Sequence, residues 1–205
     1  MSSMKRNLSV VIPNYNGSAL LSKNLPPLLH QLEKGDEVIV VDDASTDNSI
    51  EVLKQSFPEV TVLRNYSNKR FQFSCNKGVQ HAKSEFVLLL NSDVRPLKNC
   101  IKNLREYLAS TDENFFSVGL AELDKKENRS GRAVGSFQKG LILHDRAQDQ
   151  DKTTTLWTTG GSMAFRKSIW NILGGFDVLF SPAYEEDKDI SYRALKRGYQ
   201  IAFLP

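Results

Sequence analysis

The chain has 205 residues, 40% hydrophobic and 25% charged, close to ordinary globular usage and suited to one domain with a sizeable core. Its 27 basic and 24 acidic residues are spread along the chain and leave a net charge of +3, too balanced for a nucleic-acid footprint, so no nucleic-acid partner is expected. Cys75 and Cys100 are distant and lack a CxxC or His cluster, which excludes a zinc site or disulfide scaffold and points to a reduced, cytoplasmic-type compartment.

In chain order, four apolar runs stand at strand length: LSVVI (8–12), EVIVV (37–41), VTVLR (60–64) and FVLLL (86–90). LSVVI is too short for a signal peptide, and no stretch approaches the roughly 18 apolar residues of a membrane span. After LSVVI, Leu20, Leu21, Leu25, Leu28, Leu29 and Leu32 recur at helical spacing, with Pro26 and Pro27 expected to break the helix in two. DNSIEVLKQSF opens with cap-type residues, and Asn48 with Glu51 three later resembles a capping box. SCNKGVQHAKS reads as a third helix. Nearly all-apolar strands alternating with helices predict a mainly parallel sheet covered on both faces.

Beyond NSDVRP, a helix is predicted from Leu97 to about Ser110, with Leu97, Ile101, Leu104 and Leu108 on one stripe. FFSVGL (115–120) reads as another strand. Residues 121–155 lose periodicity and carry many charges, as expected of an irregular excursion over the surface. Order returns at LWTTGGSMAFRK and SIWNILGG, followed by a helix through about Glu186–Arg197 closed by Gly198. IAFLP then begins a strand.

In open parallel sheets, ligands bind beyond the carboxyl ends of the strands. Those ends carry PNYNG, DDAS and NSD, so three polar clusters converge on one edge. Turns alone favour such residues. The adjacent carboxylates of Asp42 and Asp43, however, repel unless a ligand, a metal or backbone N–H groups hold them.

VVIPNYNG, VVDDASTDNS, LLLNSDV, TGGSMAFRK and GGFD with EEDKDISYRALKRGY resemble, in order and spacing, the successive motifs of inverting family 2 glycosyltransferases. The resemblance runs from about residue 7 to 205 and is weak over 121–155. It implies the GT-A fold, an α/β architecture with a Rossmann-like, mainly parallel sheet and helices on both faces. It also implies a nucleotide-sugar donor, a Mg²⁺ or Mn²⁺ cofactor and a glycan or lipid-linked acceptor. The nearest branch is the rhamnosyltransferase-like one that builds bacterial surface polysaccharides. The reading is a single catalytic domain over 1–205, with a nucleotide-binding half at about 1–95 and an acceptor-side half at about 96–205. It is expected in the cytoplasm, with peripheral association at the inner face of the membrane.

By this resemblance, Pro13, Asn14 and Tyr15 form the wall and rim of the base site. Asp43 accepts from the base N–H, with Asp42 near it; helix capping is the other role open to either. Asn91, Ser92 and Asp93 occupy the DxD position. Asp93 is the implied metal ligand and Asn91 a contact to the ribose or a water, because a divalent ion takes oxygen ligands and stabilises the departing diphosphate. Asp187 is the implied general base and Glu186 its support, since a sugar hydroxyl must lose a proton as it attacks. Asp189, two residues on, turns well away along the helix.

Thr159, Gly160, Gly161 and Ser162 sit where the family brings backbone close to donor sugar and acceptor. Asn76 matches an Asn of the NKRFQFSCNKG segment; Lys69 and Arg70 are candidates to face the diphosphate, with plain solvation the other role open to them. Related sequences typically carry Gly at the position of Arg70, so the local backbone or donor choice is expected to differ. His30, His81 and His144 look isolated. A metal-binding His that family members place further on lies past IAFLP, so a C-terminally truncated domain is expected.

Two rivals fail on pattern. A Rossmann oxidoreductase needs G-x-G-x-x-G after the first strand, and PNYNGS supplies one Gly. A phosphoacceptor receiver domain puts its acidic pair after the first strand and is much shorter. A non-catalytic sugar-nucleotide-binding module is the alternative, and the presence of Asp43, Asp93 and Asp187 counts only modestly against it.

Overall fold

The computed structural model describes residues 7–139, 141–182 and 184–205. Its centre is a seven-stranded sheet built from β1 (Leu8–Asn14), β2 (Glu37–Asp42), β3 (Thr61–Arg64), β4 (Phe86–Leu90), β5 (Phe115–Leu120), β10 (Ser162–Arg166) and β11 (Gln200–Leu204). The strand order is β11-β5-β10-β4-β1-β2-β3, and β10 runs antiparallel to both of its neighbours while every other pairing is parallel. The mainly parallel sheet expected from the apolar runs is what forms. Strands from both halves of the chain share it.

Helices cover both faces because successive strand residues point to opposite sides. Val10 and Ile12 pack with Leu21, Leu25 and Leu28 of α1 (Ser18–Leu29), Leu53 of α2 (Ser49–Ser56), and Ile101 and Leu104 of α4 (Cys100–Ala109). Val11, between them, packs with Cys75 and Val79 of α3 (Arg70–His81), Trp170 of α5 (Lys167–Leu173) and Ile190 of α6 (Glu186–Lys196). Contact between α3 and the sheet is close: a β-carbon on Gly78 would lie 2.3 Å from Val11 Cγ1. Both cysteines are free thiols in helices, as expected.

Several local expectations are corrected. Pro26 and Pro27 do not split α1, because the hydrogen bonds they forfeit belong to its last turns, which buried Leu25 and Leu28 hold against the sheet. Asn48 occupies the N-cap of α2 without a side-chain bond; Asp47 Oδ1 instead accepts from the Ser49 N–H at 3.0 Å. Helix α4 starts at Cys100 rather than Leu97, and Leu97 is exposed.

The stretch 121–155 is more ordered than its charges suggest. It forms a short ribbon of β6 (Glu122–Leu123) with β7 (Arg129–Ser130), then an antiparallel hairpin of β8 (Ala133–Gln138) with β9 (Leu141–Arg146). Arg132 anchors the hairpin base, its guanidinium donating to the Asp149 carbonyl at 2.8 Å and to the Thr154 carbonyl.

Candidate active site

The polar clusters do meet at one rim. Register pairs Asn14 with Asp42 across β1 and β2, and the Asn91 N–H beyond β4 donates to the Gly161 carbonyl at 2.8 Å. The loops of this rim hold Asn16, Ala44, Arg70 and Glu185 at φ of 52°, 60°, 74° and 89°. Left-handed backbone is costly for non-glycine residues and persists where the surroundings enforce it, often at functional sites.

The two adjacent aspartates face different partners. Asp42 is fully buried; its carboxylate accepts from the Ser45 N–H at 3.2 Å and from Asn14 Nδ2 at 3.3 Å. Asp43, 4% exposed, accepts from Asn65 Nδ2 at 2.8 Å and from the Lys69 and Arg70 N–H groups at 2.7 and 2.8 Å. Asp43 therefore caps the start of α3, a helix distant in sequence. Its two oxygens offer about four lone-pair sites, so three bonds leave room for one more donor. Arg70 adopts a glycine-like backbone, so the different local backbone expected from its substitution for glycine does not form; its N–H reaches Asp43.

Asn14 does not form an open wall for a base. It is 2% exposed and its Nδ2 is bonded to Asp42 and Ser45, so it braces the loops. Tyr15, at 52% exposure, and half-buried Pro13 are the residues of that segment that reach the surface. Asn76 is also committed elsewhere. Its Nδ2 donates to the Phe176 carbonyl at 2.8 Å and its Oδ1 accepts from the Phe176 N–H at 3.0 Å, which clamps the GGFD segment to α3. Both amide ends are thus engaged by backbone, and Asn76 positions structure rather than reaching outward. It borders a cleft of about 780 Å³ on the flank of α3, lined also by Lys69, Phe73, Lys77 and Trp170.

Asn91, Ser92 and Asp93 form the turn after β4. Asn24 Nδ2 holds the Ser92 carbonyl at 2.8 Å. Asp93 is exposed, and no hydrogen bond or ion pair to it is seen among the described residues. Those residues contain no cluster of three or more His, Cys, Asp or Glu side chains that could hold a metal. One free carboxylate fits Mg²⁺ or Mn²⁺ in the form in which phosphate oxygens and water supply most of the ligands.

Across the rim, Asp187 in the first turn of α6 is half-buried and accepts from the Gly160 N–H at 3.2 Å through Oδ2 and from the Lys188 N–H at 2.8 Å through Oδ1. Burial pushes its carboxyl above the usual aspartate range, opposed by those two N–H groups and the Lys188 charge. Burial likewise raises Glu186, helped by the charges of Asp187 and Glu185 and opposed by Gln72, whose Nε2 donates to Glu186 Oε2 at 3.0 Å. Asp189 is tied to Arg193 Nε at 2.9 Å, as its helical position implies.

Two adjacent glycines join the two sides. A β-carbon on Gly161 would lie 2.7 Å from Asn91 Nδ2, and one on Gly160 would lie 3.5 Å from Asp187 Cβ. The loop beside them is fixed from below, where the Ser162 hydroxyl donates to Glu122 at 2.6 Å. One cluster escaped the sequence. His144 of β9 is not isolated: its Nε2 lies 3.1 Å from Lys188 Nζ, and its ring meets Trp157 edge-on at 4.9 Å. Only the unforeseen hairpin brings them together.

This fold and rim define a mixed α/β enzyme domain of the glycosyltransferase type. A family model described as Glycosyl transferase family 2 matches residues 9–173, and the chain belongs to that family. It is 26% identical over 224 residues to chondroitin synthase of Escherichia coli, covering 93% of this chain and 32% of that protein. It is 26% identical over 167 residues to GalNAc(5)-diNAcBac-PP-undecaprenol beta-1,3-glucosyltransferase of Campylobacter jejuni, covering 79% of this chain and 52% of that protein. The mannosyltransferase PcManGT from Pyrobaculum calidifontis, solved with GDP-Man and Mn²⁺, superposes with a TM-score of 0.74 at 19% identity, covering 99% of this chain and 56% of that one. This likeness shows the GT-A-type fold. The chain thus spans between about a third and a half of each of these proteins.

Proposed function

We propose that this domain moves a sugar from a nucleotide-sugar donor to a hydroxyl of a glycan or lipid-linked acceptor, with inversion at the anomeric carbon. The observation that carries the reading is the Gly160–Gly161 step, which packs on the Asn91 turn with one residue and bonds Asp187 with the other. A donor-side turn and a carboxylate with a raised pKa are thereby held against one short stretch of backbone.

In this reading Tyr15 and Pro13 border the base, and the remaining lone pair of Asp43 accepts from it. Asn91 and Ser92 line the ribose side. A bound Mg²⁺ or Mn²⁺ would be held by Asp93 with donor phosphate oxygens and would offset the charge growing on the leaving diphosphate. Asp187 takes the proton of the acceptor hydroxyl as its oxygen bonds to the anomeric carbon and the bond to diphosphate breaks. Attack from the face opposite the diphosphate inverts that carbon. Glu186, buried and bonded to Gln72, fixes the start of α6 beneath Asp187. Gly160 and Gly161 let donor and acceptor approach the backbone.

The wider reading is a hexosyl- or rhamnosyl-type transferase of bacterial surface polysaccharide synthesis, acting in the cytoplasm at the inner face of the membrane. A relative named for an undecaprenol-linked substrate and a neighbour solved with GDP-Man and Mn²⁺ support the acceptor and donor classes. No helix among the described residues is long and apolar enough to cross a membrane. Calorimetric titration of UDP-, GDP- and dTDP-sugars with and without Mn²⁺ tests the proposal. Metal-dependent binding of one nucleotide class supports it. Binding without turnover by the full-length protein would leave the non-catalytic module.

A further inference from the structure

The ammonium group of Lys188 is the meeting point of three elements. The side chain is 16% exposed, and Nζ donates to Glu185 Oε1 at 2.7 Å on its own helix. It lies 3.1 Å from His144 Nε2 of the β8–β9 hairpin. It also stands 5.2 Å from the centre of the Trp157 ring, in the segment that leads to Gly160. Because an ammonium only donates, His144 must accept through an unprotonated Nε2. A cation over an indole face is attracted by the ring's negative face.

Lys188 directly follows Asp187, and its backbone N–H bonds that residue's Oδ1. The charge of Asp187 acts on its acidic neighbour Glu186, and the neutral Gly160 N–H faces Asp187 across the gap. Arg193, the next cation along α6, is engaged by Asp189 and by the Leu173 and Gly175 carbonyls. One side chain therefore carries a positive charge that favours the Asp187 carboxylate and is the peg that holds the hairpin.

We propose that Lys188 is a positioning residue for transfer, pinning the β8–β9 hairpin to the start of α6 and setting a positive charge beside Asp187. The consequence is a linked site: the residue that seats the hairpin also favours the carboxylate form of Asp187. The opposing influences on Asp187, burial upward and the Lys188 charge downward, agree with this placement. The inference rests on Asp187 being the base.

The midpoint and exchange measurements need no donor. In the full-length protein, the side-chain carboxyl of Asp187 is followed by ¹³C NMR across pH, its signal assigned by loss in Asp187→Asn. Amide exchange over residues 141–146 is read in parallel. Lys188→Met should raise the Asp187 midpoint, as expected on losing an opposite charge that favours the carboxylate. It should also speed exchange in the hairpin several-fold, while Lys188→Arg restores both. His144→Leu should loosen the hairpin and leave the Asp187 midpoint in place, which separates peg from charge. An unmoved midpoint in Lys188→Met overturns the proposal even if the hairpin loosens, since the residue is then a structural peg alone. If transfer survives Asp187→Asn, the base assignment fails instead, and the two failures are told apart.

Discussion

Asn91 and Asp187 belong to segments about a hundred residues apart, yet the Gly160–Gly161 step touches both. Gly161 packs against the Asn91 amide and Gly160 donates to Asp187 at 3.2 Å. A methyl group at Gly161 would fall 2.7 Å from Asn91 Nδ2, so the Asn91 side chain must give way. Gly161→Ala should lower transfer about 10²-fold, the order expected of a misplacement near 1 Å, with little change in melting temperature. Gly160→Ala, with its nearest atom at 3.3 Å, should cost less. Equal activities of the two variants and the parent would show that the step bridges nothing of consequence.

Asp43 and Asp93 should separate stability from metal binding. Asp43 is buried and caps α3, so Asp43→Ala should destabilise by about 2–3 kcal/mol, read by denaturant unfolding. Asp93 is exposed and makes no side-chain bond among the described residues, so Asp93→Ala should leave stability within about 0.5 kcal/mol yet abolish the Mn²⁺- or Mg²⁺-dependent part of donor binding. Asn91→Ala should do less to the metal. Donor affinity that is the same with EDTA as with metal contradicts the role given to Asp93.

Arg70 holds φ at 74°, where a glycine would sit without a steric penalty. Relief of that strain should exceed the entropic cost of glycine, so Arg70→Gly should raise stability by about 0.5–1 kcal/mol. A loss of stability would mean the arginine side chain contributes more than its backbone costs.

The raised Asp187 carboxyl gives a pH signature. Proton transfer needs the ionised form, so kcat/KM should fall on the acid side with a midpoint above the ordinary aspartate value of about 3.9. Because burial is the leading cause, the same group binds its proton more tightly folded than unfolded. The penalty for ionising it in the folded state grows as pH rises through its folded midpoint. A limb at or below the ordinary value would rule out Asp187 as the titrating base.

How much of this was legible differs by element. Strands β1, β2 and β4 announce themselves because burial on both faces demands unbroken apolar runs such as FVLLL. The β8–β9 hairpin does not, since Leu141 and Leu143 stay exposed and its supports, Arg132 and Lys188, lie outside its strands. Within the rim, side-chain chemistry was readable but direction was not. Asn14, Asn76 and Asp42 have the residue types a nucleotide wants, yet the Asn14 Nδ2, both amide ends of Asn76 and the Asp42 carboxylate are bonded within the protein by segments that only the folded chain brings near. The arginine where related sequences carry glycine points to a different local backbone, yet Arg70 keeps the left-handed conformation a glycine would adopt.

The account stands most directly on transfer by the full-length protein, with Asp187→Asn beside it, using a lipid-linked acceptor pool and the identified donor. Product linkage is read by NMR. The expected result is a product of opposite anomeric configuration to the donor, and a fall of about 10²–10⁴-fold in Asp187→Asn with donor affinity nearly unchanged. Glu186→Gln should cost less and Asp189→Asn least. Full turnover in Asp187→Asn, or a product that keeps the donor's configuration, would contradict it.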